Sequence, residues 1–307
     1  MQLSTLLKLI GIAVLFCAGN VQAIIITPDT NSTNLVNNIL GAGVNLIGGT
    51  DSYTGTTNMA GTFTGGTDPV GFDSGVVLMT GDVNDIPGPN PTNSSQETEG
   101  AGFSGGPADP SQDRGQPGDA DLSAIVGNST FDASVLVFDF QFGDGSSGGN
   151  LFFQYVFASE EYIDFVDSAF NDVFALFVDG VNIALLPDGV TPVTINNVNG
   201  SNNSAFYLNN VENTDGFLNL GLDTAFDGLT TVLTATALNL APGTHTMKFA
   251  VADTGDGILD AGVFIKAGSF STDDPDGGNG SIPLPSTLLL IGIGLAGLSF
   301  TRRKKVI

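Results

Sequence analysis

The 307-residue chain predicts an all-β protein: a single antiparallel β-sandwich, jelly-roll-like, with long Gly/Asn-rich loops, between an N-terminal signal peptide and a C-terminal transmembrane helix. Three observations carry this. Phe, Val and Thr recur in short alternating runs between Gly, Asn and Asp clusters, the pattern of half-buried strands and turns. The 42 glycines leave few stretches between the termini able to sustain a helix of more than about three turns. A body of about 250 residues without a repeat of fixed period suits one large core, a size that sandwiches reach as one domain. The expected boundaries are 1–23 for the signal peptide, 24–272 for the sandwich, 273–281 for a linker and 282–307 for a C-terminal signal, with 286–300 in the membrane.

The elements follow in order. Between Asn31 and Gly48, Leu35, Val36, Ile39 and Leu40 fall at helical spacing, with Asn31, Ser32 or Thr33 as the cap, so one short helix is expected. Asp85 to Gly118 is rich in Pro, Gly, Ser and Asp and reads as a long loop. Leu136, Phe138, Phe140 and Phe142 alternate onto one face of a strand. After the turn Gly143-Asp144-Gly145, Leu151, Phe153, Tyr155 and Phe157 do the same. Val173 to Val178 is apolar on both faces, hence a central strand, and Asp179-Gly180 reverses it tightly into Val181, Ile183 and Leu185. Leu240 to Thr244 turns into Met247, Phe249 and Val251, and Val263 to Ile265 is expected to close the sheet.

The termini are addressed elsewhere. Lys8, the apolar stretch Leu9 to Ala18 and the small residues of Val21-Gln22-Ala23 make a secretory signal peptide. Phe16 precedes Cys17 where a lipidation box needs a small residue, so cleavage after Ala23 would remove the single cysteine and leave a body without disulfides. At the other end Pro283-Leu284-Pro285 precedes an uncharged run, Ser286 to Phe300, closed by Arg302-Arg303-Lys304-Lys305, a stop-transfer pattern that leaves the body outside. These fifteen residues would rise only roughly 22 Å as a helix, short of the ~30 Å hydrocarbon core, which suits a signal that is cut and discarded. From Ile282 to Ile307 the tail resembles the PEP-CTERM class of bacterial sorting signals, in a Pro-Leu-Pro variant with Leu284 where the name-giving motif has glutamate. The resemblance implies recognition at Pro283, Pro285, Arg302 and Arg303 by an exosortase, after export by the Sec machinery of a bacterium with a Gram-negative envelope.

Charge narrows the partners. All 32 acidic residues lie between Asp29 and Asp276, with only Arg114, Lys248 and Lys266 against them. Nucleic acid and anionic membrane surfaces would be repelled by this field, and divalent cations attracted. Salt adaptation and solubility account for it equally well.

The densest constellation is the run Tyr155 to Gly180, in which two strands flank Glu160, Glu161, Asp164, Asp167, Asn171 and Asp172. With no basic residue among them, these groups are either solvated or bound to a cation, and hard oxygen ligands at this density suit Ca²⁺. A second cluster, Asp253, Asp256 and Asp260 with Gly255 and Gly257, does not match the EF-hand spacing. It reads either as a tight Asp/Gly turn or as the completion of a calcium site begun by Glu160 and Glu161, if the strands ending at Phe157 and Ala252 finish on the same side. The candidate calcium ligands are therefore Glu160, Glu161, Asp164, Asp172, Asp253, Asp256 and Asp260.

The same segments carry a second resemblance. Phe157 to Tyr162 (FASEEY), Phe170 to Phe174 (FNDVF), Ala250 to Asp253, Asp256-Gly257 and Ala261 to Ile265 are similar to the choice-of-anchor L family of bacterial surface proteins, as are Leu35 to Gly41 and Gly71 to Leu78. The likeness spans roughly Asn31 to Phe270 and implies an extracellular domain attached to the envelope by differing C-terminal signals, with no activity attached.

Enzymatic readings have little to draw on. His245 is the single histidine, on a strand after a Pro-Gly turn, where it reads as an ordinary edge residue and offers no catalytic triad and no zinc site. A glycosidase needs only two carboxylates, but nothing marks a pair with opposed environments, and the chain has no tryptophan to stack on sugar. The sequence thus points to a non-enzymatic structural or adhesive surface protein, with exopolysaccharide or other surface proteins as partners. A calcium-dependent carbohydrate-binding module stands second and a glycan-active hydrolase third.

Overall fold

A computed structural model describes residues 23–90, 110–211 and 218–275. The C-terminal signal with Pro283, Pro285, Arg302 and Arg303, the signal peptide up to Gln22, and the middle of the expected loop at 85–118 lie outside the described residues. No helix among the described residues is long and apolar enough to cross a membrane.

The first half supplies β1 (Ile25–Pro28), α1 (Ser32–Ile39), β2 (Val44–Leu46), β3 (Ser52–Thr54), β4 (Ala60–Thr64), α2 (Thr67–Val70), β5 (Ser74–Met79) and α3 (Ala120–Val126). The second half supplies β6 (Thr130–Phe142), β7 (Gly149–Ser159), β8 (Val173–Val178), β9 (Val181–Asn182), β10 (Tyr207–Asn209), β11 (Gly228–Thr230), β12 (Leu233–Leu240), β13 (His245–Thr254) and β14 (Ala261–Lys266). They form two sheets with antiparallel pairing throughout. The eight-stranded sheet runs β1-β4-β5-β14-β7-β11-β10, with β12 sharing the β11 edge of β7, and the six-stranded sheet runs β2-β6-β13-β8-β9, with β3 sharing the β2 edge of β6.

Alternation fills the space between the sheets as expected. Leu136, Phe138, Phe140 and Phe142 of β6 meet Leu151, Phe153, Tyr155 and Phe157 of β7 in one cluster with Phe174, Leu176, Met247, Phe249 and Phe270. Phe153 and Phe249 touch across the sheets at 5.1 Å between ring centroids, and Tyr155 and Phe174 at 5.0 Å. Side faces close the core: α1, capped by the Asn31 side chain on the Asn34 N–H, inserts Leu35, Val36 and Ile39.

Both outer faces are also covered, which the strand pattern alone does not reveal. On the eight-stranded sheet Phe63, Val77, Val156 and Phe264 pack under Val70, Phe72, Ile86 and Phe226. On the six-stranded sheet Val135, Val173, Ala175, Phe177 and Ala250 pack under Leu122, Ile125 and Val126 of α3. Helix α3 falls just past the expected loop; Asp119 caps it, accepting from the N–H groups of Asp121 and Leu122, and Gly127 ends it at φ 70°.

Three expectations need correction. β8 is buried on both faces but is next to the edge, flanked by the two-residue β9; its burial comes from α3 and not from a central place. The tight Asp179-Gly180 turn is present, with φ 51° and 80°, yet Ile183 and Leu185 lie past the end of β9. β14 closes no sheet: it lies mid-sheet between β5 and β7, with Val263 and Ile265 in the inner core and Phe264 in the outer one.

His245 is likewise not an edge residue. It opens β13 inside the six-stranded sheet and is 6% exposed. Nδ1 lies 2.7 Å from Asp179 Oδ2 and Nε2 2.8 Å from the Ala241 carbonyl oxygen. A carboxylate and a carbonyl only accept, so the pair selects the doubly protonated ring; burial works to lower its pKa, the Asp179 and Ala241 hydrogen bonds raise it, and the net shift is upward.

Two tests follow. Lys248 Nζ lies 2.7 Å from Asp119 Oδ2 and 2.7 Å from Asp121 Oδ2, tying the start of α3 to the sheet. Asp119→Ala removes cap and ion pair together and is expected to destabilise by about 1–2 kcal/mol in a urea melt. For His245 the raised folded pKa means its stabilisation is complete below the ordinary histidine value and fades as pH rises through the folded one. Asp179 is half exposed, so the parent should exceed His245→Gln by well under about 1 kcal/mol at pH 6, a margin that shrinks by pH 9.

Candidate functional site

Six strands stop or start together at one end of the sandwich. The registers Thr254↔Thr130, Ala252↔Val173, Ala261↔Ser159 and Gly262↔Met79 place the ends of β5, β7 and β13 beside the starts of β6, β8 and β14. The strands carrying Phe157 and Ala252 thus finish on the same side, the condition on which a joint acidic cluster depended. Strand ends leave main-chain groups without ladder partners, and here acidic side chains supply them.

Asp172, wholly buried, is the clearest case. Its Oδ2 accepts from the Ser159 hydroxyl at 2.9 Å and its Oδ1 from the Thr254 N–H at 3.0 Å, so one carboxylate joins the start of β8 to the ends of β7 and β13. Ser159 Oγ in turn accepts from the Glu161 N–H at 2.9 Å. Asp260 is equally buried; its Oδ2 accepts from the Gln112 N–H at 3.2 Å, while its carbonyl accepts from the Glu160 N–H at 3.1 Å. Gly81 makes room for this carboxylate, since a Cβ there would come within 1.8 Å of Asp260 Oδ2. Asp253, 1% exposed, has no hydrogen bond of ordinary geometry to either oxygen, and Asp260 Oδ1 has none either.

Burial dominates the electrostatics. Desolvation pushes Asp172 up to about 8 against the pull of its Thr254 and Ser159 hydrogen bonds, with Asp256 adding repulsion. Asp253 is raised well above the usual carboxylate range by desolvation and then by repulsion from Asp172 and Asp260; the nearby Thr80 hydroxyl favours its charged form from outside ordinary hydrogen-bond geometry. Asp260 is raised in the same way, by desolvation and by the charges of Asp132, Asp172 and Asp85.

Of the seven candidate ligands, the fold therefore gathers Asp172, Asp253 and Asp260 into one electrostatic cluster, ties Glu160 and Glu161 to it through their main-chain N–H groups, and leaves Asp256 half-buried at its margin. Asp164 stays exposed, as does Asp167, so the run 160–172 is a solvated loop only in its middle. The segment 253–260 is more than a surface turn, because its first and last aspartates are buried. Among the described residues no group of three or more His, Cys, Asp or Glu side chains stands as a ready-made metal cage.

Sequence reasoning missed Asp132 and the segment over the cluster. Asp132 in β6, with φ 45° and 1% exposure, accepts at Oδ2 from the Arg114 N–H at 2.7 Å and at Oδ1 from the Gln116 N–H at 2.5 Å. An aspartate inside an apolar strand run was the available signal. The chain from Pro110 to Gly118, expected as loop, is held down by these bonds and by the Asp260 N–H on the Pro110 carbonyl at 2.7 Å.

The model of the choice-of-anchor L domain matches residues 24–271, both strands-and-loop segments of this cluster included. The chain belongs to the choice-of-anchor L family. The PEP-CTERM protein-sorting motif matches residues 281–305, beyond the described residues, and marks an exported, envelope-associated protein processed by an exosortase-type enzyme. No curated protein and no solved structure matches the chain significantly.

The Ser159 hydroxyl is the donor that keeps Asp172 partnered within this choice-of-anchor L domain. Ser159→Ala strands both a buried carboxylate oxygen and the Glu161 N–H, and is expected to lower stability by roughly 1–3 kcal/mol in a denaturant melt while leaving secondary structure unchanged by circular dichroism.

Proposed function

We propose that this protein is a non-enzymatic structural or adhesive component of the bacterial surface or its extracellular matrix, delivered there as a precursor whose tail an exosortase removes. The observation that carries the reading is the pairing of a choice-of-anchor L domain over 24–271 with a PEP-CTERM motif over 281–305, a whole β-sandwich placed directly ahead of a sorting signal. The absence of catalysis rests on the chain's chemistry. Its single histidine is buried with both ring nitrogens engaged, by Asp179 and by the Ala241 carbonyl, and so holds no proton-transfer post. The most perturbed carboxylates, Asp253 and Asp260, lie inside the protein beyond the reach of a polymer substrate.

Two measurements test this. Intact mass of the protein recovered from envelope or matrix should show a chain ending upstream of about Ser286; one ending at Ile307 would mean an ordinary anchor. A strain lacking the protein should lose surface cohesion, and the purified protein should show no turnover on the strain's own polysaccharide. Turnover there would replace the structural reading with an enzymatic one.

A further inference from the structure

The buried acidic cluster divides into two chemically distinct pairs. Asp172 and Asp132 have both oxygens committed, to Ser159 and Thr254 in one case and to the N–H groups of Arg114 and Gln116 in the other. Asp253 and Asp260 between them offer three carboxylate oxygens without a hydrogen bond of ordinary geometry, at 1% and 0% exposure. The two pairs act on one another, since the charges of Asp172, Asp260 and Asp132 all bear on Asp253.

No cation among the described residues answers them. The cationic side chains among the described residues are Arg114, His245, Lys248 and Lys266. Lys248 is spent on Asp119 and Asp121, His245 on Asp179, and Lys266 on Gln154 at 2.7 Å. Arg114 reaches Gln112 Oε1 at 2.9 Å and Asp82 at 3.9 Å. None makes an ion pair with Asp172, Asp253 or Asp260. A buried carboxylate left in this condition is strongly unfavourable unless a proton or a cation joins it.

We propose that Asp253 and Asp260 form a buried site for one divalent cation, Ca²⁺ by its oxygen chemistry, at the end of the sandwich where β13 and β14 connect. Two carboxylates balance the charge of one such ion. Calcium would complete its shell of six to eight with neutral oxygens in flexible geometry, a looser demand than the strict octahedron of magnesium. Asp172 and Asp132, already bonded, are positioning residues that hold the starts of β8 and β6 against the site. The ion would thereby join the β13 end of one sheet to the β14 start of the other. This differs from a site on the exposed acidic loop: Asp164 takes no part.

The experiment is a thermal melt of the purified exported protein after chelation, in excess Ca²⁺ or excess Mg²⁺, for the parent and for Asp253→Asn, Asp260→Asn and Asp164→Asn. Extracellular calcium modules bind at roughly 10⁻⁴–10⁻³ M, so millimolar calcium should raise the parent's Tm by a few degrees. Magnesium should not, Asp164→Asn should respond as the parent does, and the two cluster variants should melt cooperatively with no calcium shift. Asn keeps shape and removes charge, so these variants should fold at least as well as the calcium-free parent. A parent that ignores calcium while Asp253→Asn raises its Tm would show that protons neutralise the cluster, and would overturn the proposal. Equal shifts with both ions, or a calcium shift surviving in Asp253→Asn and Asp260→Asn, would do the same.

Discussion

The structure turns on how six strand ends are closed over at one end of the sandwich. Water satisfies main-chain groups at most strand ends, but here Pro110 to Gly118 covers them, so partners must come from within. Short acidic side chains are efficient partners because one carboxylate accepts from two donors on different strands. Asp172 bridges three strands with two bonds, and Asp132 fixes two N–H groups of the covering segment. Together these bonds hold the two sheets in register at the end where the β13–β14 connection passes between them. The consequence is a concentration of like charge in a dry place, and the rest of the site chemistry follows from it.

The opposite end shows the contrasting solution. There the Asp179 carboxylate accepts from the Thr246 N–H at 2.9 Å and from His245, so negative charge meets a positive group, and half of Asp179 remains in water. That buried charge is paired. At the acidic end it is not, because Arg114, the one cation near it among the described residues, has its guanidinium drawn to Asp82 and Gln112, and its charge acts on Asp132 only at a distance. A chain with 32 acidic and eight basic residues, half of the basic ones in the tail, has few cations to place inside.

How far the sequence revealed this depended on what each residue's neighbours along the chain could disclose. Alternation in β6 and β7 named the inner core correctly, because period two is a property of a single strand. What covers a strand's outer face is a property of distant segments. So Val173 to Val178 was legible as doubly buried but not as lying beneath α3, and β14 was legible as apolar but not as central. The helix itself was readable: Asp119, then Leu122, Ile125 and Val126, then Gly127 is a cap, an apolar stripe and a stop. The preceding Pro/Gly-rich run masked it. For the site, composition drew attention to Glu160 through Asp172 and to Asp253 through Asp260, and topology alone decided that their ends coincide. Exposure separated Asp164 from Asp172 within one short loop, a distinction no spacing rule contains.

Location and stability meet in the same residues. The choice-of-anchor L domain over 24–271 contains no cysteine, so no disulfide braces it. Its large aromatic core provides most of its stability, and three covered faces leave little apolar surface to give it away. The joint between the sheets at the acidic end is then the weak point, since any carboxylate there must hold a proton, a hydrogen bond or an ion at all times. In an unfolded chain these aspartates are solvated and spread along the sequence, and only folding brings them together. A joint completed only after folding, by something the destination supplies, suits a protein whose purpose begins where its sorting signal ends.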